Sequence, residues 1–219
     1  MLKFYYSRLS VNARRVWVTL LEKNLEFEPI LMKLSGDQFQ PEFLKLNPFH
    51  HIPVLVDVGF SVFESLAILD YLEAKYPQPS FMSSNAQEIA KIRTIELITV
   101  NELPPASIVL MKDMLEFEVP SPQIEKAKAT MATALHYFEA NLDDNSPYFI
   151  GDKFTYADIV AGTAVASIPF LGISLDPYIK VSKWLDNLQQ RASWQQTAPT
   201  PEQIEQSKAV MKAILQKRS

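Results

Sequence analysis

The chain has 219 residues, 47% of them hydrophobic and 21% charged, a composition that fits one large or two small folded domains and excludes a disordered chain. Its 21 Lys and Arg against 25 Asp and Glu give a net charge of -4, without the basic excess that a binder of nucleic-acid phosphates needs. There is no Cys for a disulfide, a thiolate metal site or a cysteine nucleophile. No apolar run approaches the ~18 residues of a membrane span, and the first eight residues lack the apolar core of a signal peptide, so the expected location is cytoplasmic.

In chain order, Leu2 to Tyr6 reads as a strand, and Asn12 to Lys23 as a helix with Ala13, Val16, Leu20 and Leu21 on one face. Phe27 to Met32 reads as a second strand and Pro41 to Leu46 as a helical turn with Pro at a tolerated first position. Val54 to Val58 and Ser61 to Phe63 flank Gly59 as a tight hairpin, and Ser65 to Tyr76 is helical, with Leu66, Leu69, Leu72 and Tyr76 in register. The order β-α-β-α-β-β-α implies a parallel pair extended by antiparallel strands.

Beyond this the strand signals stop. Residues 78–85 read as a linker, and helices are expected over 86–116, 121–142, 155–168, 178–192 and 201–217, the first broken or kinked at Pro104 and Pro105. The predicted organisation is therefore an α/β domain over 1–77 and an all-α domain over 86–219. Thr155 to Asp158 has capping-box spacing ahead of an apolar run, which predicts a structural helix buried on all sides.

Several chemistries are missing. There is no phosphate-cradling glycine loop and no GxSxG elbow. His50 and His51, on an extended backbone, would point to opposite sides, and His136 has no neighbour at ligand spacing, so no metal is expected.

Three clusters in the first domain carry chemistry instead. Residues 5–14 (YYSRLSVNAR) run from a strand into a helix N-terminus that favours an anion, with Ser10 either a cap or a donor to a bound thiolate or carboxylate. Residues 47–55 (NPFHHIPVL) place Pro53 just ahead of a strand, a candidate cis position. Glu64 and Ser65 open a helix, either as a favourable first turn or as partners for the ammonium and carboxylate of an α-amino acid.

Taken together, these patterns resemble the cytosolic glutathione S-transferases. Ile52-Pro53 matches that family's cis-proline, Glu64 to Ile68 its ESxAI helix start, and Thr155 to Asp158 its [ST]xxD box. The resemblance implies a thioredoxin-like N-terminal domain followed by an all-α C-terminal domain, with glutathione as co-substrate, no metal, and a homodimer that detoxifies hydrophobic electrophiles. The N-terminal motifs are most similar to the serine-type, delta- and theta-like classes. That likeness implies that Ser10 donates to the glutathione thiolate, with Tyr5 or Tyr6 as the next candidates. It also implies that His50 contacts the glycine carboxylate, with Gln38 at the place of a second glycine-end histidine, that Ile52 pairs with the cysteinyl backbone, that Glu64 and Ser65 take the γ-glutamyl end, and that His51 and Pro53 belong to the glutathione site.

The class stays open, because Gln38 stands for a second histidine, Leu66 for an arginine that often follows Glu-Ser, and Asn12-Ala13 for a proline-cysteine pair. Other readings of the same fold are a glutathione-dependent peroxidase, isomerase or dehalogenase, and a non-catalytic binding module. The electrophile is expected between the domains, against the helix of Ile108, Met111 and Met114, though apolar side chains at that spacing are more often core than pocket and are not taken as site residues. Arg14 either adds positive potential near the thiolate or sits in an ion pair.

Overall fold

A computed structural model describes residues 1–33 and 36–216. Contacts group the chain into two compact units, one of residues 1–80 together with the segment from Ala192 on, the other Phe81–Arg191.

The first unit is built on a four-stranded sheet, β1 (Leu2–Tyr6), β2 (Phe27–Leu31), β3 (Val54–Asp57) and β4 (Phe60–Phe63), ordered β2-β1-β3-β4. β1 pairs parallel with β2 and antiparallel with β3, and β3 pairs antiparallel with β4. α1 (Val11–Glu22) is the crossover of the parallel pair; α2 (Pro41–Leu44) and α3 (Ser65–Lys75) complete the α/β part. Val58 and Gly59 join β3 to β4 with positive φ at both positions, 48° and 86°, the two-residue turn whose twist suits a hairpin. Phe4, Val16, Leu20, Leu55, Ile68, Leu69 and Leu72 are fully buried, each contributing about 1.5–3 kcal/mol of hydrophobic stabilisation.

The second unit contains α4 (Ala86–Asn101), α5 (Leu103–Met114), α6 (Ser121–Asn141), α7 (Tyr156–Val165) and α8 (Ile179–Gln189). The helix expected over 86–116 is broken at Glu102, immediately ahead of the two prolines that fill the opening turn of α5. Every residue of α7 is buried, as its all-round apolar sequence requires. Within the expected linker, the chain is ordered by packing. The ring of Phe81 meets Phe154 and Tyr156 edge-on, and its carbonyl accepts from the Tyr156 N–H at 3.0 Å. No helix among the described residues is long and apolar enough to cross a membrane.

Two helices follow, α9 (Ala192–Thr197) and α10 (Pro201–Gln216). The last position of the helix expected over 201–217 lies outside the described residues. α9 packs on α1: Ser193 hydrogen-bonds Glu22, and Arg14 reaches Thr197 Oγ1 at 3.3 Å and the Trp194 carbonyl at 3.4 Å. These long-range polar contacts join α9 to α1.

Candidate active site at one end of the sheet

Strand register gathers the sequence clusters. Tyr5 lies opposite Val54, and Val54 opposite Phe63, so the exit of β1, the entry of β3 and the exit of β4 share one end of the sheet. The exit of β2 joins them, because Tyr6 lies opposite Leu31. An apolar cluster of Met32, Phe43 and Val54, with Tyr5, Ile52 and Phe63 packed against it, fastens the four loops from beneath. Gln38 is brought to the same end in a short 3-10 turn, Asp37–Phe39, whose Phe39 ring lies 5.0 Å from the ring of His50.

Ser10 is the N-cap of α1. Its Oγ accepts from the Ala13 N–H at 3.2 Å, and its own N–H closes a turn onto the Ser7 carbonyl at 3.1 Å. A hydroxyl has one donor and two acceptor sites, and among the described residues the Ser10 hydroxyl has no acceptor for its proton. No acidic residue occupies the first turn of α1, so the helix dipole there is uncompensated.

Tyr5 and Tyr6 are differently placed. Tyr6 is buried, its ring stacked 5.2 Å from Phe4 and edge-on to Trp17 at 4.8 Å. Tyr5 packs on Phe43 at 5.8 Å.

The peptide bond between Ile52 and the buried Pro53 is cis. Ile52 is half-buried and, among the described residues, no hydrogen bond engages its backbone N–H or C=O. His50 and His51 are both exposed. Their rings meet edge-on at 5.4 Å, contrary to the expectation that they diverge. The cause is the backbone: His50 has φ 49°, in the left-handed region, which breaks the alternation of an extended strand.

Asn47, not singled out in the sequence, organises this loop. It is fully buried; its amide donates to the His51 carbonyl at 2.9 Å, its Oδ1 accepts from the Phe49 N–H at 3.0 Å, and its own carbonyl accepts from the His50 N–H at 3.1 Å. An Asn-Pro pair opening a turn is a local signal that would have identified it.

Glu64 and Ser65 open α3 with contrasting exposures. Glu64 is exposed, makes no capping bond, and holds φ 67° and ψ 118°, a conformation that costs a non-glycine residue on the order of 1–3 kcal/mol and that clusters at ligand sites. Ser65 is buried, and its Oγ accepts from Arg15 Nη1 at 3.4 Å. Arg15 reaches it from α1, a link across fifty residues with no local sequence signal. The end of the sheet thus presents a hydroxyl donor at a helix start, an unengaged stretch of backbone, an exposed carboxylate beside a second helix start, and two imidazoles. This set complements a peptide-like ligand with charged ends.

Family profiles and relatives identify the family of this chain. The family profile described as glutathione S-transferase, N-terminal domain, matches residues 4–80, and that of the C-terminal domain matches residues 98–192. The chain is 33% identical over 208 residues to glutathione S-transferase 3 of Zea mays, covering 90% of this chain and 92% of that one. It is 31% identical over 172 residues to maleylacetoacetate isomerase of Rattus norvegicus, covering 77% and 78%. Among solved structures, a glutathione S-transferase from Rhodospirillum rubrum F11 superposes with a TM-score of 0.77 at 27% identity, covering 92% of this chain and 94% of that one.

Proposed function

Since this chain belongs to the glutathione S-transferase family and is a glutathione transferase, we propose that it binds glutathione at this end of the sheet and ionises its thiol at the start of α1. The observation that carries the reading is the Ser10 hydroxyl, fixed by the Ala13 N–H with its own proton left to donate. A thiol of pKa ~8.5 is mostly protonated at neutral pH, and the thiolate is the nucleophile. A hydroxyl donor together with the positive end of α1 favours the charged form. Ser10 donates a hydrogen bond and forms no covalent intermediate. Packing occupies the rings of Tyr5 and Tyr6, which favours Ser10 over either.

In this reading the peptide groups of Ile52 and Pro53 meet the cysteinyl backbone, while Glu64 takes the γ-glutamyl ammonium and the start of α3, with Ser65, takes its carboxylate. Gln38, His50 and His51 receive the glycine carboxylate. The electrophile is apolar. The working form is a cytoplasmic homodimer engaged in detoxification. A second reading, glutathione-dependent isomerisation, is favoured by the likeness to a maleylacetoacetate isomerase.

Calorimetry with glutathione, beside activity on aryl halides, isothiocyanates, hydroperoxides and a cis-unsaturated keto acid, tests the assignment. Binding with turnover of aryl halides or isothiocyanates is expected. Turnover of the keto acid alone would move the reaction to isomerisation, and absence of binding at millimolar glutathione would remove the site.

A further inference from the structure

Arg14 is buried, and hydrogen bonds hold it in place, yet nothing among the described residues neutralises it. Its residue is 9% exposed, and its two partners, Thr197 Oγ1 and the Trp194 carbonyl, are both neutral. Neither partner depends on it. The Trp194 carbonyl also accepts from the Ala198 N–H at 2.9 Å, and the Thr197 hydroxyl donates to the Ser193 carbonyl at 2.8 Å.

The surrounding charges are otherwise engaged or distant. On α1, Arg15 turns to Ser65, and Glu22, the nearest acid along the helix, takes the Ser193 hydroxyl about 12 Å further on. Lys23 pairs with Glu73 of α3 at 2.9 Å, Lys75 pairs with Asp57, and Asp70 is exposed on α3. α9 carries no charged side chain from Ala192 to Thr197. In the turn before α1, Arg8 adds a second cation, its guanidinium 4.9 Å over the ring of Trp17. Burial without a counter-ion lowers the pKa of Arg14 to about 10, which leaves it charged at neutral pH.

A desolvated cation without an anion is destabilising by itself, so its position matters. Arg14 follows Ser10 by four residues, one helical turn along, and its backbone N–H donates the first helical hydrogen bond of α1 to the Ser10 carbonyl at 2.8 Å. We propose that Arg14 is an electrostatic positioning residue for the glutathione sulfur, its uncompensated charge favouring the thiolate held at Ser10. The inference rests on the placement of that sulfur at Ser10 proposed above. Arg14 touches neither substrate; it acts through the field at the start of α1, in a setting where water screens it weakly.

The test compares the pH profile of kcat/KM, the KM for glutathione and the urea midpoint for the wild-type protein, Ser10→Ala, Arg14→Met, Arg14→Gln and Arg14→Lys. The expected result is a kinetic thiol pKa raised by about one unit in Arg14→Met, a roughly tenfold rate loss below that pKa. KM should change much less, Arg14→Lys should recover most of the rate, and the urea midpoint of Arg14→Met should hold or rise as the desolvation cost disappears. Arg14→Gln, which keeps a hydrogen-bonding side chain without the charge, gives the same reading if the Met variant does not fold. An unshifted profile in a folded Met or Gln variant overturns the inference, as does equal loss in the Lys and Met variants. If Ser10→Ala moves the profile and the Arg14 variants do not, only the role of Arg14 falls; if Ser10→Ala leaves it unmoved, the placement of the sulfur falls.

Discussion

Helices α7 and α1 both begin with a hydroxyl residue at the N-cap, and they differ in what satisfies the start. At α7 the chain supplies its own anion. Asp158 accepts from the Thr155 N–H at 2.9 Å, the Thr155 hydroxyl at 3.1 Å, the Phe149 N–H at 3.1 Å and Trp184 Nε1 at 3.0 Å, and it is fully buried. At α1 the first turn has no acid, Ser10 satisfies one amide, and a hydroxyl proton and an arginine charge are left over. The same local device closes one helix for stability and leaves the other with a donor and a dipole unengaged.

Opening the closed start should have the largest effect. Asp158→Ala removes the acceptor of three buried N–H groups, each costing about 1–3 kcal/mol when left without a partner. A loss of about 4 kcal/mol or more in urea unfolding is expected, with glutathione affinity unchanged in the folded fraction; a loss under about 1 kcal/mol would mean that α7 is not closed by Asp158.

Next in size is the pH dependence of the same group. Burial outweighs its hydrogen bonds and pushes the Asp158 carboxyl up to about 6. The folded state therefore holds this proton more tightly than the unfolded chain. The contribution of Asp158 to stability is greatest below pH ~4, falls as pH rises from ~4 to ~6, and is level above. The fall amounts to at most about 3 kcal/mol, and it is measured as the difference between wild-type and Asp158→Asn unfolding free energies across that range. A flat difference would contradict it.

Asn47→Ala probes the open end of the sheet rather than the closed helix. Removing two buried hydrogen bonds from the 47–51 loop should raise the KM for glutathione about five- to thirtyfold with little change in kcat. An equal loss in kcat would place Asn47 in the chemistry instead. The smallest effect belongs to an exposed cap, Asn85, whose Oδ1 accepts from Gln87 at 2.9 Å and Glu88 at 3.1 Å. Asn85→Ala should cost about 1 kcal/mol in unfolding and nothing in activity.

Periodicity was enough to read the strands, the hairpin at Gly59 and the buried character of α7, because each follows from residues close in sequence. Pro104 and Pro105 likewise announced the break ahead of α5. What escaped was set by distant partners or by unusual backbone. The contact of α9 with α1 runs through Arg14 and Glu22, far back in the chain. The meeting of His50 with His51 follows from a left-handed residue that alternation does not foresee. In the candidate site, residue types and spacing singled out Ser10, the Ile52-Pro53 pair, Glu64 and Ser65 as candidates, and strand register brings their segments to one end of the sheet. Of the buried side chains that hold them, Arg15 has a partner fifty residues away that only the fold supplies, whereas Asn47 bonds within its own loop, where the Asn-Pro pair is a local signal.

The most direct measurement is a titration of the protein-bound glutathione thiol by the ultraviolet absorbance of its thiolate, in the wild-type protein and in Ser10→Ala. An open α1 start predicts a wild-type bound thiol at least one unit below the free value of ~8.5, moving back toward it in Ser10→Ala. Glutathione that binds but ionises as it does in free solution, or a titration unchanged by Ser10→Ala, would contradict the account.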